Sequence, residues 1–233
     1  MIDPIQAFIV GLVYVYVMIV VGLAKYLRDK EISPRVTRRL IHLLAGDAII
    51  IIPVFTSLLY PMIICVGLGV LVFLGLKRGL SVFESTMVDG VGGRLRLYGP
   101  FYYIVSIALL LLLFWDYKFI VIASTLIMAW GDGAASLVAS LSTNPHKIIG
   151  RKTLEGSIGM FLFSAIAIIV SMLISTMFNI APSTNIAEII YITILGSLAA
   201  TIIELISQGP LSPFDNFTVP LVSAVTLYLI IPR

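Results

Sequence analysis

Two short charged stretches interrupt a very apolar sequence, and their residue types are those of a phosphate and metal site. The first is AWGDGAAS at 129–136, which carries Asp132, and the second is RKTLEGS at 151–157. One or two carboxylates are what Mg²⁺ takes from a protein when substrate phosphates complete its shell. Arginine and lysine neutralise phosphate oxygens. The two stretches therefore indicate chemistry on a phosphorylated substrate.

Phosphoryl transfer needs little beyond such groups: positioning, a metal ion, and positive charge where the transition state spreads its negative charge. We expect Asp132 and Asp215 to hold the metal ion. Arg151 and Lys152 are expected to bind phosphate oxygens. Glycines beside these residues allow the backbone to approach a ligand closely; they are Gly131, Gly133, Gly150 and Gly156.

The composition places these residues in a membrane protein. The 233 residues are 60% hydrophobic and 12% charged, with a mean hydropathy of +1.10, whereas soluble domains are about 45–50% apolar and about 25% charged. About 20 mostly apolar residues span the hydrocarbon core. The sequence therefore predicts an all-α, polytopic integral membrane helical bundle, with one transmembrane catalytic domain over 1–233. Seven or eight spans are predicted, near 5–24, 40–56, 58–76, 100–115, 119–141, 156–178, 186–206 and 217–231.

Charge distribution predicts the orientation of the spans. All of the 15 basic residues except Lys118 and Arg233 lie at 25–39, 77–99 or 142–155. Because lysine and arginine mark cytoplasmic loops, we expect these loops in the cytoplasm and the N-terminus outside. The pI near 9.0 then reflects topology and requires no nucleic-acid partner. The first span follows Asp3 rather than a basic cluster and is too long for a signal peptide, so we expect it to be retained.

This orientation brings polar residues of several spans to one depth. Ionisable groups within spans are costly and usually mark a pathway or a site. Those expected near the cytoplasmic ends of five spans are Asp47, Asp132, Glu155, Glu204 and Asp215 with Asn216. His42 follows Arg38 and Arg39 by four and three residues, so the three share a helix face. We therefore expect one site on the cytoplasmic side.

Several polar residues also have a structural interpretation. Asp132 can be a buried acid that pairs with a lysine. His42, beside arginines at a helix start, can simply bond a carbonyl group. Asp47 can join two helices by a hydrogen bond, and His146 is expected to be solvated in a loop. The lone cysteine, Cys65, lies in an apolar run and is expected to be a packed core thiol.

Taken in order, the motifs resemble those of the CTP-dependent polyprenol kinases, which include dolichol, phytol and geranylgeraniol kinases. The matching stretches are RRLIHLLAG at 38–46, GPFYY at 99–103, WGDGAAS at 130–136, GRKTLEGS at 150–157 and DNFTVP at 215–220. The similarity covers most of 38–220. It implies that CTP donates its terminal phosphate to the hydroxyl group of a membrane isoprenoid alcohol, with a divalent metal ion.

The resemblance also implies roles for individual residues. Those expected in catalysis are Asp132, Lys152, Glu155, Asp215 and His42. Those expected to bind the nucleotide or its phosphates are Arg39, Gly131, Gly133, Arg151, Lys152, Thr153, Gly156 and Asn216. Those expected to hold Mg²⁺ are Asp132, Asp215 and Glu204. Either a carboxylate or His42 accepts the hydroxyl proton, and the residues leave both alternatives open.

The partners implied are CTP, an isoprenoid alcohol and the lipid bilayer. The apolar tail of the alcohol can enter sideways from the membrane, while its hydroxyl group reaches the inner interface. The nucleotide arrives from the cytosol onto the basic loops. The oligomeric state, the chain length of the alcohol and the reason for a preference for CTP are not determined by these residues.

Two other functions compete with this interpretation. Phosphatidate cytidylyltransferases share the Gly-Asp and Lys-Thr-x-Glu-Gly elements, but there we expect Ser-Pro-Lys-Lys-Thr and a late Pro-Gly-His-Gly-Gly. Here Gly150 and Arg151 precede Lys152, and DNFTVP takes the place of the late segment. An ion-coupled transporter predicts acids near the midplane and polar groups at both faces. The one-sided clustering favours the kinase.

Overall fold

The chain folds almost entirely into helices in a computed structural model that describes residues 3–80, 98–150, 152–207 and 215–232. In chain order the helices are α1 (Pro4–Asp29), α2 (Pro34–Asp47), α3 (Leu59–Lys77), α4 (Gly99–Phe114), α5 (Lys118–Leu126), α6 (Asp132–Leu141), α7 (Leu154–Met177), α8 (Ile186–Ile206) and α9 (Asp215–Ile230). A 3₁₀ segment (Ala48–Val54) follows α2, and a π-helical turn (Ile127–Gly131) joins α5 to α6. Two short strands, β1 (Lys147–Ile149) and β2 (Lys152–Thr153), form an antiparallel hairpin before α7.

Five helical stretches among the described residues are long and apolar enough to cross a membrane: Pro4–Asp29, Leu59–Lys77, Lys118–Leu141, Leu154–Met177 and Ile186–Ile206. Two shorter apolar helices, α4 and α9, accompany them. The prediction of an all-α polytopic integral membrane bundle is thereby confirmed. The choice between seven and eight spans, and the outside N-terminus, stay predictions.

The second predicted span, 40–56, differs from the observed helix. The α-helix begins earlier, at Pro34, because proline fits the first turn, where its missing N–H group costs nothing. It ends at Asp47, and the chain continues as a 3₁₀ segment that contains Pro53. A proline has no N–H group to donate, which interrupts regular helix hydrogen bonding. The apolar run is therefore not one continuous α-helix, and Asp47 lies at its break.

Residue contacts divide the chain into two compact units, Met1–Leu112 and Leu113–Arg233. In the first unit, α1 packs against α2 and α3. Its core is formed by Val20, Val21, Ala24, Ile41, Val72 and Leu76. The Tyr16 hydroxyl group of α1 donates to the Leu44 carbonyl oxygen of α2 at 2.7 Å. This contact between a side chain and the backbone fixes α2 beside α1. The single catalytic domain over 1–233 stays a prediction.

In the second unit, α7 packs against α5, α6 and α8, and α9 packs against α5 and α8. The stretch Lys118–Leu141 is the most buried of the long helical stretches. Gly196 of α8 lies where two other helices converge. A Cβ atom there would be 2.8 Å from the Ile168 side chain of α7 and 3.0 Å from the Leu227 side chain of α9. The absence of a side chain allows the three helices to approach closely.

Candidate active site

The polar residues of the second unit gather where α7 begins and α8 ends. Lys152 of β2 contacts Glu204, in the last turn of α8. The Ser207 and Thr218 hydroxyl groups are 3.0 Å apart, which links the residue after α8 to the first turns of α9. The hairpin, the end of α8 and the start of α9 therefore lie together. This end of the second unit is the candidate active site.

The centre of this group is an ion pair between Lys152 and Glu204. The Lys152 ammonium group donates to Oε1 of Glu204. The Lys152 side chain is 24% exposed and the Glu204 side chain 5% exposed. Buried charges are tolerated when they are paired and hydrogen-bonded. The pair therefore consists of a partly exposed cation and a buried anion.

Asp132 adds a second acid to this pair. It is the first residue of α6, directly after the π-helical turn. It is half-buried, and its charge is close enough to interact electrostatically with Glu204. π-Helical turns inside α-helices often occur at functional sites. Asp132, Lys152 and Glu204 thus form a charged cluster from three separate elements, referred to below as the Lys152 cluster.

The backbone beside Lys152 is held by Thr153. This residue is extended and caps α7, and its hydroxyl oxygen accepts from the Gly156 N–H group at 3.1 Å. Capping satisfies one of the free N–H groups of the first turn. A Cβ atom at Gly156 would lie 3.1 Å from the Ala135 carbonyl oxygen of α6. Thr153 and Gly156 therefore hold the start of α7 against α6.

Glu155 contacts His146, which lies outside the RKTLEGS motif. Its two carboxylate oxygens accept from the His146 backbone N–H group at 3.2 and 3.1 Å. Its Oε1 also lies 2.7 Å from His146 Nδ1. His146 is exposed, as expected, but it is not merely solvated. Glu155 joins the loop before β1 to α7, and its catalytic role stays a prediction.

Asp215 and Asn216 begin α9. Asp215 is half-buried and accepts from the Asn216 backbone N–H group at 2.8 Å. Asn216 is 7% exposed. An acid in the first turn is stabilised by the helix dipole. Both residues lie close to the hydroxyl pair formed by Ser207 and Thr218. They therefore lie at the end of the second unit where α8 ends.

The predicted glycines have different surroundings. A Cβ atom at Gly131 would lie 2.8 Å from both Met160 Sδ and Ser164 Oγ, so α7 approaches the π-helical turn too closely for a side chain. Gly133 is half-buried in the first turn of α6. Arg151 lies outside the described residues. Gly131 and Gly156 therefore serve helix packing, and their phosphate-binding roles stay predictions.

Three further candidates belong to the first unit. The His42 ring lies 4.3 Å from the Tyr103 ring, and the Tyr103 hydroxyl group donates to the His42 carbonyl oxygen at 3.0 Å. Arg39 is half-buried on the same helix. Asp47, at the end of that helix, interacts electrostatically with Tyr16 of α1. The hydrogen-bonding role of Asp47 between helices and the roles of Arg39 and His42 stay predictions.

The arrangement of acids bears on the predicted metal ion. Within the described ranges, no three or more His, Cys, Asp or Glu side chains are grouped so that they could hold one. Glu204 already contacts Lys152. Mg²⁺ usually takes only one or two carboxylates and completes its shell with water and substrate phosphates. The residues therefore fit a metal ion held by Asp132 with the substrate, and not a cage of protein ligands.

Sequence reasoning missed three participants at this end of the second unit. His146 is predicted to be solvated in a loop, and neither Ser207 nor Thr218 is among the predicted site residues. Thr218 lies within the DNFTVP stretch, which was the available signal for it. His146 and Ser207 carry no local signal, because their partners are nine and 11 residues away.

Fold and site together define a polytopic integral membrane protein with a charged cluster at one end of its helices. The chain is 30% identical to the phytol kinase of Synechocystis sp., in an alignment that covers 93% of this chain and 88% of that protein. No family model and no solved structure matches the chain. Identity at this level over nearly the whole of both proteins shows that the chain belongs to the phytol kinase-like family of polyprenol kinases.

Proposed function

We propose that this protein is a lipid kinase that transfers the terminal phosphate of CTP to the hydroxyl group of a membrane isoprenoid alcohol of the phytol or polyprenol class. The observation that carries the proposal is the Lys152 cluster, in a chain that belongs to a family of isoprenoid alcohol kinases. The products are the alkyl phosphate and CDP. The choice of CTP rests on the motifs that this family shares.

The reaction requires positive charge near the triphosphate, and Lys152 supplies it. Its ammonium group has three N–H donors, and one of them points to Glu204. Because the Lys152 side chain is 24% exposed, phosphate oxygens can approach this group. Phosphoryl transfer depends mainly on such positioning and charge stabilisation. Thr153 and Gly156 keep the backbone of this segment in place beside α6.

Asp132 is the residue we propose for the metal ion. A bound Mg²⁺ supplies charge that neutralises the phosphate oxygens as the bond to the leaving group breaks. In the transfer step, the alcohol oxygen forms a bond to the terminal phosphorus and the bond from that phosphorus to the bridging oxygen breaks. The bridging oxygen leaves with CDP, and a carboxylate accepts the alcohol proton.

The second substrate, the isoprenoid alcohol, has an apolar tail that is soluble in the membrane. The exposed surfaces of the long helices are apolar, with Leu162, Ile166 and Ile202 among the exposed side chains of α7 and α8. An isoprenoid tail in the bilayer therefore reaches the protein without crossing water. Its hydroxyl group lies at the level of the Lys152 cluster when that end of the helices meets the interface. We place this end on the cytoplasmic side, where CTP is available.

The test of the activity uses purified protein in lipid vesicles with Mg²⁺ and a prenyl alcohol. CTP is labelled in one sample at the outermost phosphorus and in another at the innermost. Label from the outermost position in the lipid product supports the kinase. Label from the innermost position indicates nucleotidyl transfer and overturns the proposal, as does the absence of any labelled lipid with phytol, geranylgeraniol and dolichol.

Asp132→Asn tests the assignment of the metal-holding residue. Loss of a group that stabilises transition-state charge lowers kcat by about 100-fold or more. The variant is expected to insert in the membrane and to unfold at the wild-type temperature. Asp116→Asn is the matched control, because Asp116 is an exposed acid in the turn between α4 and α5. Wild-type turnover by Asp132→Asn would contradict the assignment.

A further inference from the structure

Glu204 is a buried acid on an otherwise apolar helix, and its contact with Lys152 calls for an explanation. It is 4% exposed in the last turn of α8. Removing a carboxylate from water costs more than an ion pair usually returns, so such a pair is weak support for stability. A neutral side chain would be the less costly residue at this position. The free-energy cost of burying Glu204 therefore indicates a role beyond stabilising the fold.

We propose that Glu204 is a positioning residue for phosphoryl transfer: it holds the Lys152 ammonium group in place before the nucleotide binds. The proposal rests on the proposed function, and it assigns Glu204 to Lys152 rather than to the metal ion. Lys152 binds the triphosphate, and Glu204 orients the Lys152 side chain. Glu204 itself does not touch the substrate.

The geometry of the two residues supports this role. Lysine carries its charge on a flexible four-carbon chain with three rotatable donors. The Lys152 backbone is fixed by the hairpin and by the Thr153 cap, but these do not orient its side chain. The contact with the buried Glu204 does so. One donor is used by Glu204, and the Lys152 side chain is 24% exposed, so a phosphate can approach the ammonium group.

Repulsion of the triphosphate by Glu204 and orientation of Lys152 by Glu204 predict opposite changes in the KM for CTP when the Glu204 charge is removed. A carboxylate beside a triphosphate repels it, so simple neutralisation of Glu204 would lower the KM for CTP. If Glu204 orients Lys152, its loss frees that side chain, and binding must order it again. The KM for CTP is then expected to rise about 10-fold, the factor set by the entropy of ordering a lysine side chain.

The first experiment measures steady-state kinetics of Glu204→Gln in lipid vesicles. The KM for CTP is expected to rise about 10-fold, while kcat falls less and the Mg²⁺ concentration for half-maximal activity is unchanged. Glu204→Asp, which keeps the charge, is expected to recover part of the loss. Glu188→Gln is the matched control, since Glu188 belongs to the N-terminal capping box of the same helix and glutamine also serves in such a box.

Combining Glu204→Gln with Lys152→Met shows whether Glu204 acts through Lys152. If it does, Glu204→Gln has no further effect on the KM once Lys152 is gone. An unchanged or lower KM in the single variant overturns the proposal. So does an equal rise in both backgrounds. A shift of about 10-fold in the Mg²⁺ requirement identifies Glu204 as a metal ligand and likewise overturns it.

A second experiment tests the contact without relying on activity. An amine-reactive reagent acylates lysines of the intact protein, and mass spectrometry follows Lys152 against the exposed Lys147 of the same hairpin. Glu204→Gln is expected to accelerate acylation of Lys152 several-fold and to leave Lys147 unchanged. Equal acceleration at both lysines, or none at Lys152, contradicts the proposal. If the wild type transfers no phosphate, the proposed function fails, and this experiment still decides whether Glu204 holds Lys152.

Discussion

The acids of the candidate site are distinguished by their partners rather than by their type. Glu204 is buried and pairs with Lys152, whereas Glu155 is tied to His146 of the loop before β1. Asp132 is half-buried and close to Glu204. An acid that is already paired is a poorer candidate for binding a metal ion or accepting a proton. Asp132 is therefore the acid that we propose for the metal ion.

Thr153 offers a prediction at the scale of single residues. Thr153→Ala removes the oxygen that accepts from the Gly156 N–H group, and loss of an N-cap costs about 1 kcal/mol. We expect a lower free energy of unfolding and lower kinase activity, because the cap holds the backbone beside Lys152. Thermal unfolding in detergent and the CTP assay measure both effects.

The controls for this prediction lie on the same helix. Thr153→Ser keeps the oxygen and is expected to retain most of the stability and activity. Thr176→Ala changes an exposed residue near the other end of α7, whose hydroxyl group donates to the Met172 carbonyl oxygen. It is expected to be neutral in both measurements. A Thr153→Ala variant as stable as the wild type would show that the cap is dispensable.

At the scale of elements, the site depends on close packing of α6 against α7. Gly156 and Gly159 lie one turn apart on α7 and face the backbone of α6 at Ala135 and Ala134. Small residues at such contacts allow helices to approach closely in membranes. Because Asp132 begins α6 and Lys152 precedes α7, this contact sets the distance between the two residues. The packing of α6 against α7 thus sets the positions of Asp132 and Lys152, although it lies away from these charged residues.

Gly159→Ala tests this packing. The new Cβ atom would lie 3.0 Å from the Val138 side chain and 3.2 Å from the Ala134 carbonyl oxygen. Overpacking costs about 1–3 kcal/mol, which exceeds the gain of up to about 1 kcal/mol in helix propensity. We expect a lower unfolding temperature and reduced activity. Gly11→Ala on α1, where no atom of the residues that the structure describes comes within 4 Å of the new atom, is expected to be neutral or stabilising.

At the scale of the whole molecule, the placement of α7 determines how the hairpin and the 178–185 loop relate to the membrane. α7 has 24 residues, or about 36 Å at 1.5 Å per residue, which exceeds the hydrocarbon thickness of about 30 Å. The hairpin with Lys147 lies at its start, and Ser183 lies in the loop after its end. The two positions are therefore expected on opposite sides of the membrane.

Cysteine accessibility measures the orientation. Cys65 is buried, so Cys65→Ala gives a background without cysteine and with a small change in the core. Single cysteines replace Lys147 or Ser183 in that background. A membrane-impermeant thiol reagent on intact cells is expected to label the Ser183→Cys protein, and to label Lys147→Cys only after the cells are opened. The reverse pattern would place the Lys152 cluster outside and contradict the proposed access of CTP.

The sequence by itself determined the class of protein and the positions of its charged segments. Apolar composition measures the free energy of transfer from water to lipid, which depends on local residues and not on the fold. The motifs around Asp132 and Lys152 were recognisable for the same reason, since each lies within a few consecutive residues. The family to which the chain belongs followed from those motifs.

Only the tertiary structure decided which charged groups meet. That Lys152 contacts Glu204, 52 residues away, depends on the rotation and axial offset of α8. The contact of Glu155 with His146 depends on the hairpin before α7. The break of the second span at Asp47, by contrast, follows from Pro53, a local feature that hydropathy does not register. Pairing of distant side chains is set by packing of whole helices, and no local pattern contains that information.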